Sequence, residues 1–331
     1  MTSRGNTWAL ILAAGEGTRL RSLTTTRSGV AVPKQFCSLN GGASLLQEAL
    51  HRASAVARPE RICAVVAAQH RRFWEVPLFH LPDANVIAQP ENRGTAHGIL
   101  LPLLHIAARD PEATVVLLPA DHHVEDEAAF AESLRKATLL ASMQRDSVFL
   151  LGVEPDVPDT ELGYILPVRG DTLHSTSVSR FVEKPAASQA QSLLDQGALW
   201  NVFVIAATAR ALLGMFERRM PGTVAQFREA LSIDFDTHGM AVEDLYQLLP
   251  SVDFSRHIME GQEPLLKVLP VPQCGWSDLG TPQRVEATLR RLPEINVSRP
   301  RGDSAMAQLS LAAQHASLAL NTLRATAGAV S

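Results

Sequence analysis

Directly after the apolar run Trp8 to Ala14, the chain carries Gly15-Glu-Gly-Thr-Arg19. Gly15 and Gly17 let backbone N–H groups come close to an anion, Thr18 adds a hydroxyl, and Arg19 offers a forked donor matched to phosphate oxygens. Two common phosphate loops are excluded by spacing. A dinucleotide fingerprint needs a third glycine where Leu20 stands, and a P-loop needs Gly-Lys-Ser/Thr after four intervening residues. Gly-x-Gly taken alone reads equally well as a tight strand-to-helix turn with a surface arginine.

Three further stretches are chemically rich. Pro119-Ala-Asp-His-His123 places Asp121 directly after an apolar run, where a carboxylate can hold Mg²⁺ while the metal keeps waters and phosphate ligands. Asp121 also suits an N-cap or Asx turn. His122 and His123 read as packing or hydrogen-bonding residues, because a hard phosphate-bound cation prefers oxygen. Gln89-Pro-Glu-Asn-Arg-Gly-Thr95 and Cys274-Gly-Trp-Ser-Asp278 are the other two. Asn201 interrupts an apolar run and needs polar partners if buried, either a neighbouring loop or a ligand.

These groups have to be held by regular elements. Trp8–Ala14, Ile62–Ala67, Val86–Gln89, Val115–Ala120 and Val148–Val153 read as buried strands that alternate with amphipathic helical patterns. That alternation predicts an α/β fold over Trp8 to Val153, a parallel sheet with helices on both faces, in which ligands gather beyond the carboxyl ends of the strands. Ser44 with Gln47 is a capping box opening a helix whose Leu45, Leu46, Ala49, Leu50 and Ala53 form an apolar stripe. Helices are also expected over Gly94–Ala108 and Asp126–Ser142.

Beyond Val153, short strands are expected at Tyr164–Pro167, Val178–Lys184, Leu199–Ala206 and Pro264–Val271. In the second of these, alternation puts Arg180, Val182 and Lys184 on one face. Ser188 with Gln191 reads as a second capping box, opening a helix that ends at Gly197. Thr281 before Pro282 is a strong helix start, which places Asp278 in a tight turn just ahead of it. A last helix is expected from about 304 to 323.

With 331 residues, 46% of them hydrophobic, the chain can bury a large core. The formal net charge of -4 gives no general attraction to nucleic acid or acidic membranes, so neither is an expected partner and any anion site is local. No apolar run reaches the roughly 18 residues of a membrane span, and MTSRGNT has no signal-peptide core. Cys37, Cys63 and Cys274 are odd in number and widely spaced, as expected of free thiols in a cytoplasmic protein.

Four patterns occur in one order: Leu12-Ala-Ala-Gly-Glu-Gly-Thr-Arg-Leu20, Pro33-Lys-Gln-Phe36, Phe181-Val-Glu-Lys-Pro185 and Trp276-Ser-Asp-Leu-Gly-Thr281. Together they resemble the sugar-1-phosphate nucleotidyltransferases over roughly residues 8 to 292. Gln89-Pro-Glu-Asn-Arg-Gly-Thr-Ala96, Leu118-Pro-Ala-Asp-His-His-Val124 and Ala198-Leu-Trp-Asn201 are most similar to the mannose-1-phosphate guanylyltransferase branch.

The resemblance implies a Rossmann-like mixed, mostly parallel sheet flanked by helices, with a short C-terminal helical extension. The transferase domain would cover 1–292, with a nucleotide-binding half to about 153, a sugar-binding half from 154, and a tail over 293–331. It implies that a sugar-1-phosphate oxygen attacks the α-phosphorus of GTP and expels pyrophosphate, with mannose 1-phosphate as sugar and Mg²⁺ as cofactor. Another sugar or base, or a silent nucleotide-sugar-binding subunit, are its alternatives. Either a monomer or a homodimer is compatible with it.

By position, Ala13, Ala14, Gly15, Gly17, Thr18 and Arg19 would cradle the triphosphate, and Lys34 would neutralise nucleotide phosphate. Gln89, Gly94 and Thr95 would sit against base and ribose. Asp121 and Asp278 would share the metal. Glu183 would bind sugar hydroxyls and Lys184 the sugar phosphate, with Gly163 and Asn201 lining the sugar pocket. The catalytic set is thus Arg19, Lys34, Asp121 and Lys184. This chain departs from the family pattern at Trp200-Asn-Val-Phe203 and Thr160-Glu-Leu-Gly-Tyr164, and in an expanded link from Leu23 to Val32, read as a lid. No hexapeptide repeat follows the main domain, so a single activity is expected.

Overall fold

Strand β1 (Thr7–Ala13) shows why the apolar run is unbroken. Ala9, Ile11 and Ala13 enter one hydrophobic core while Trp8 and Leu10 enter a second. Successive strand residues point to opposite faces, and here both faces are covered, so neither can be polar. The computed structural model describes residues 5–26, 28–168, 175–237 and 240–292.

The other strands are β2 (Ile62–Ala67), β3 (Val86–Gln89), β4 (Thr114–Pro119), β5 (Val148–Val153), β6 (Gly163–Pro167), β7 (Thr176–Glu183), β8 (Leu199–Thr208) and β9 (Leu266–Pro270). They form one sheet in the order β3-β2-β1-β4-β8-β5-β9-β7-β6, with β8 also pairing with β6. The sheet is mixed, as expected. Its parallel character belongs to β3-β2-β1-β4 and the β5–β9 pair, whereas β8 runs antiparallel to β4 and β5. The carboxyl ends of β1, β3 and β4 therefore share one lip.

The helices are α1 (Leu45–Ser54), α2 (Thr95–Arg109), α3 (Glu127–Met143), α4 (Ala187–Asp195), α5 (Ala209–Arg219), α6 (Pro221–Thr237), α7 (Met240–Leu248) and α8 (Pro282–Arg291). Both bonds of the Ser44–Gln47 capping box are formed, and the apolar stripe of α1 is buried. Thr281 caps α8, its side chain accepting from the Arg284 N–H, with Pro282 in the first turn.

Three expectations need correction. The second capping box does not form: α4 starts at Ala187, its N-cap is Ala186 and no side chain caps it, because Ser188 already lies inside the first turn. Lys184 does not continue the alternation of β7, since the strand ends at Glu183 and Lys184 adopts φ 50°. The described residues of the link from Leu23 to Val32, 23–26 and 28–32, are tied down by backbone bonds and burial rather than standing free as a lid. Thr26 N–H donates to the Val30 carbonyl at 2.9 Å and Val32 N–H to the Thr24 carbonyl at 3.0 Å, while Leu23, Thr24, Thr26 and Val32 are buried. The helix expected over 304–323, and the whole 293–331 tail, lie outside the described residues.

Candidate active site

One cleft of about 300 Å³ lies along the sheet's lip, lined among others by Ala14, Gly15, Arg19, Gln89, Gly94, Thr95, Asp121, Gly163, Glu183, Lys184, Asn201 and Asp278. Residues from every chemically rich stretch thus meet in one space. Ala13, Gly17, Thr18 and Lys34 do not form its wall.

The glycine-rich loop is held from beneath. Gln35 Nε2 donates to the carbonyls of Ala13 at 2.9 Å and Gly15 at 2.8 Å, so a buried amide fixes the strand exit. Gly17 sits at φ 62° with its Cα against the next segment, where an added Cβ would lie 2.9 Å from the Lys34 backbone nitrogen. Only glycine meets both demands. Arg19 pairs with Glu161 at 2.9 Å, both side chains being about half exposed.

Two backbone bonds join the metal-candidate loops. His123 and Ser277 exchange N–H···O bonds of 2.9 Å each, fixing the residues around Asp121 and Asp278 side by side. Lys34 completes the arrangement: its Nζ lies 3.0 Å from Asp121 Oδ2 and donates to the Asp278 carbonyl at 2.6 Å. The ammonium is buried behind the cleft wall. Burial alone would raise the Asp121 carboxyl, but the Lys34 charge and the neighbouring His122 outweigh it and hold Asp121 below the usual carboxylate range. Asp278 moves the opposite way. Burial raises it, Lys34 opposes, and the Asp121 charge adds to the rise.

Arg284 reaches back from α8 to both Asp278 and Asp159, so the turn is also bound to the loop before β6. Oδ1 of Asp278 takes Arg284 and the Gly280 N–H at 3.1 Å, whereas Oδ2 has no hydrogen bond among the described residues. His122 accepts from Trp276 Nε1 at 3.3 Å and is pushed down to about 4, first by burial and then by Lys34 and Arg52 against the pull of Asp121. It is a neutral packing and hydrogen-bonding residue, as its sequence context suggests.

Beyond the end of β3, Gly94 opens α2 at φ 85°, and any Cβ there would collide with the Val252 backbone. Ala96 N–H donates to the Val252 carbonyl at 3.0 Å and Phe254 N–H to Thr95 Oγ1 at 2.8 Å. The buried Gln89 donates through Nε2 to the Tyr246 hydroxyl at 2.9 Å, which fixes its amide in one orientation.

On the opposite side, Gly163 pairs with Glu183 across β6–β7, and a Cβ at 163 would come within 2.6 Å of Glu183 Oε2. Burial raises the Glu183 carboxyl to about 7, helped by the charge of Asp253 and opposed by Lys184. Lys184, Phe203 and Leu279 are the described non-glycine residues with positive φ. Lys184 and Phe203 line the cleft and Leu279 follows Asp278, so the backbone strain concentrates where a site needs fixed geometry.

Gln35, Asn92, Gly98, His122, Glu161, Phe203, Asp253 and Trp276 also belong to the cleft wall or its support, although motif spacing does not single them out as site residues. Gln35, His122 and Trp276 adjoin motif residues, which is the signal that could have found them. Phe203 ends the Trp200-Asn-Val-Phe203 departure from the family pattern, which is its signal, whereas Asp253 lies in an irregular segment and carries none. Among the described residues no three histidine, cysteine or acidic side chains cluster as a ready-made metal cage. Asp121 and Asp278, two hard carboxylates lining the same cleft, nevertheless fit Mg²⁺, which keeps several waters and takes few protein ligands.

A family model described as Nucleotidyl transferase matches residues 8–292. The chain is 30% identical over 303 residues to mannose-1-phosphate guanylyltransferase ManC of Salmonella typhimurium, a match covering 88% of this chain and 61% of that protein. Against the mannose-1-phosphate guanylyltransferase of Escherichia coli it is 30% identical over 287 residues, covering 83% and 58%. A crystal structure from Thermus thermophilus, described as a mannose-1-phosphate geranyltransferase, superposes with a TM-score of 0.72 at 26% identity, covering 90% of this chain and 83% of that one. The chain spans about three-fifths of the length of the curated relatives it matches.

Proposed function

From the premise that this chain belongs to the nucleotidyl transferase family, we propose that it transfers a guanylyl group from GTP to mannose 1-phosphate. A phosphate oxygen of the sugar phosphate forms a bond to the α-phosphorus. The bond from that phosphorus to the bridging oxygen breaks, and pyrophosphate leaves with the electron pair, giving GDP-mannose. The observation that carries this reading is that Gly15, Arg19, Gln89, Thr95, Glu183, Lys184, Asn201, Asp121 and Asp278, from six separate segments, line one cleft. The names of the relatives supply the base and the sugar.

Such a transfer needs positioned anions and charge neutralisation more than a covalent nucleophile. The Ala14–Gly15 turn, shaped by Gly17 behind it, presents backbone N–H groups to the triphosphate, and Arg19 neutralises the departing pyrophosphate. Gln89, Gly94 and Thr95 hold base and ribose. Lys184 neutralises the sugar phosphate, while Glu183, Gly163 and Asn201 receive the sugar.

Lys34 acts from behind, as a positioning residue that keeps Asp121 ionised and joined to the Asp278 turn. Asp121 and the free oxygen of Asp278 would hold Mg²⁺, which when bound supplies charge neutralisation to the phosphates. The division into a nucleotide half to about 153 and a sugar half to 292 is part of the same proposal. So is a cytoplasmic location, supported by three free buried cysteines and, among the described residues, no helix long and apolar enough to cross a membrane.

Incubation with GTP, mannose 1-phosphate and Mg²⁺ tests the reading. Pyrophosphate and GDP-mannose should appear in equal amounts, and absence of turnover with every sugar phosphate and nucleotide pair would contradict it.

A further inference from the structure

The feature of this cleft that phosphate and metal chemistry does not explain is Phe203. Strand β8 carries it at φ 56°, a conformation in which a bulky L residue is strained. The pairing with β5 shows how it is accommodated. Leu150 faces Ile205 and Gly152 faces Asn201, so four steps along β8 match two along β5 and the residues between bulge out. Bulges re-aim side chains, and they are common beside functional sites. The bulge is built rather than slack: Phe203 N–H donates to the side-chain oxygen of Asn201 at 3.1 Å, and its ring meets Phe254 edge-on at 6.2 Å.

Phe203 lines the cleft together with Glu183, Lys184, Asn201 and Asp253, all polar or charged, while its partly buried side chain rests against the core at Phe254. A pyranose has a hydroxyl rim and an apolar C–H face. Its rim suits those polar groups, and its C–H face suits the negative π-face of an aromatic ring. We infer that Phe203 is the specificity-determining wall of the sugar subsite, held in a strained backbone so that its ring packs against the hexose.

This rests on the nucleotidyl-transfer reading for the identity of the ligand. The test therefore uses binding, which does not require turnover. Calorimetry gives Kd for GDP and for GDP-mannose, and their ratio isolates the contribution of the sugar. In Phe203→Gly the left-handed backbone is relaxed, and Phe203→Asn, which also accepts this conformation, serves as the second variant; because both lose the ring's packing on Phe254, circular dichroism and thermal unfolding first establish that each is folded.

Both should lower the ratio Kd(GDP)/Kd(GDP-mannose) by about tenfold while Kd for GDP stays within about twofold, the size expected when one apolar wall is removed. In turnover, KM for the sugar phosphate should rise and KM for GTP should not. An unchanged ratio in both folded variants, a loss confined to GDP, or a wild-type protein that binds GDP-mannose no tighter than GDP would overturn the assignment. Failure of the nucleotidyl-transfer reading shows separately, as absent turnover in a wild-type protein whose ratio still responds to the substitution.

Discussion

Lys34 Nζ lies 3.0 Å from Asp121 Oδ2 while donating to the Asp278 carbonyl at 2.6 Å. One buried ammonium thus serves two loops that arrive from β4 and from the segment before α8. Lys34→Gln removes the charge that offsets burial of Asp121, so the Asp121 carboxyl should rise. Because the Asp121 side chain is 38% exposed, the stability loss should be about 1–2 kcal/mol, below that of a fully buried pair. Turnover should fall at least about a hundredfold. Chemical denaturation and steady-state rates check both, and a variant with wild-type activity would remove Lys34 from the machinery.

Asp121→Asn keeps the shape and removes the charge. The expected outcome is turnover lowered by about a thousandfold in a protein that still folds, with a stability loss of about 1–2 kcal/mol because the buried Lys34 ammonium loses its counter-charge. Titration of Mn²⁺ or Mg²⁺ by calorimetry in the presence of GTP should show weakened metal binding. Wild-type metal affinity in this variant would refute the carboxylate's proposed role.

Glu183 gives a signed pH dependence. Its carboxyl is raised from 4.5 to about 7, so folding takes up a proton and stability falls as pH rises from about 4.5 through 7, then levels off. Glu183→Gln lacks this term. It should be more stable than wild type by up to about 3 kcal/mol at pH 8 and by less than about 1 kcal/mol at pH 5. If the ionised carboxylate accepts the sugar hydroxyls, kcat/KM for the sugar phosphate should rise through about pH 7 in the wild type relative to the glutamine variant. Parallel profiles would count against it.

Glu161 occupies Arg19, the group assigned to the pyrophosphate. Phosphate and carboxylate compete for the same forked donor. Glu161→Gln should lower KM for GTP by about twofold to fivefold and weaken its salt dependence, because an exposed pair contributes little more than that. A raised KM would show instead that Glu161 positions the arginine productively.

Tyr246 holds Gln89 by one buried hydrogen bond of 2.9 Å. Tyr246→Phe leaves the amide nitrogen without its partner, which should cost about 1–3 kcal/mol of stability. It should also raise KM for GTP while leaving KM for the sugar phosphate alone. A Gln89→Ala background should erase most of the added KM effect, since the two side chains act through one bond.

The sequence was most informative where one local rule decides the structure. The apolar run into Gly15, the Ser44–Gln47 box and the Thr281–Pro282 start each rest on local chemistry, and each forms as expected. Asp121 and Asp278 also stand where their strand end and turn place them. What stayed hidden is set by tertiary contact. Lys34 reads as a phosphate ligand in sequence, but its ammonium is buried against Asp121 and the Asp278 carbonyl, which lie far along the chain from it and from each other. The bulge that re-aims Phe203 depends on a register shift against β5, and Asp253 enters the cleft only because Gly94 packs on Val252. No pattern within a single segment encodes those pairings.

The central claim is that one cleft brings a guanine nucleotide and a hexose 1-phosphate together for transfer at the α-phosphorus. A matrix of the four nucleoside triphosphates against mannose, glucose, galactose and N-acetylglucosamine 1-phosphates, scored as kcat/KM for pyrophosphate release with Mg²⁺, tests it most directly. The account predicts the highest value for GTP with mannose 1-phosphate, at least about tenfold above the next pair. Pyrophosphate release from no pair, or release that does not depend on the sugar phosphate, would contradict it.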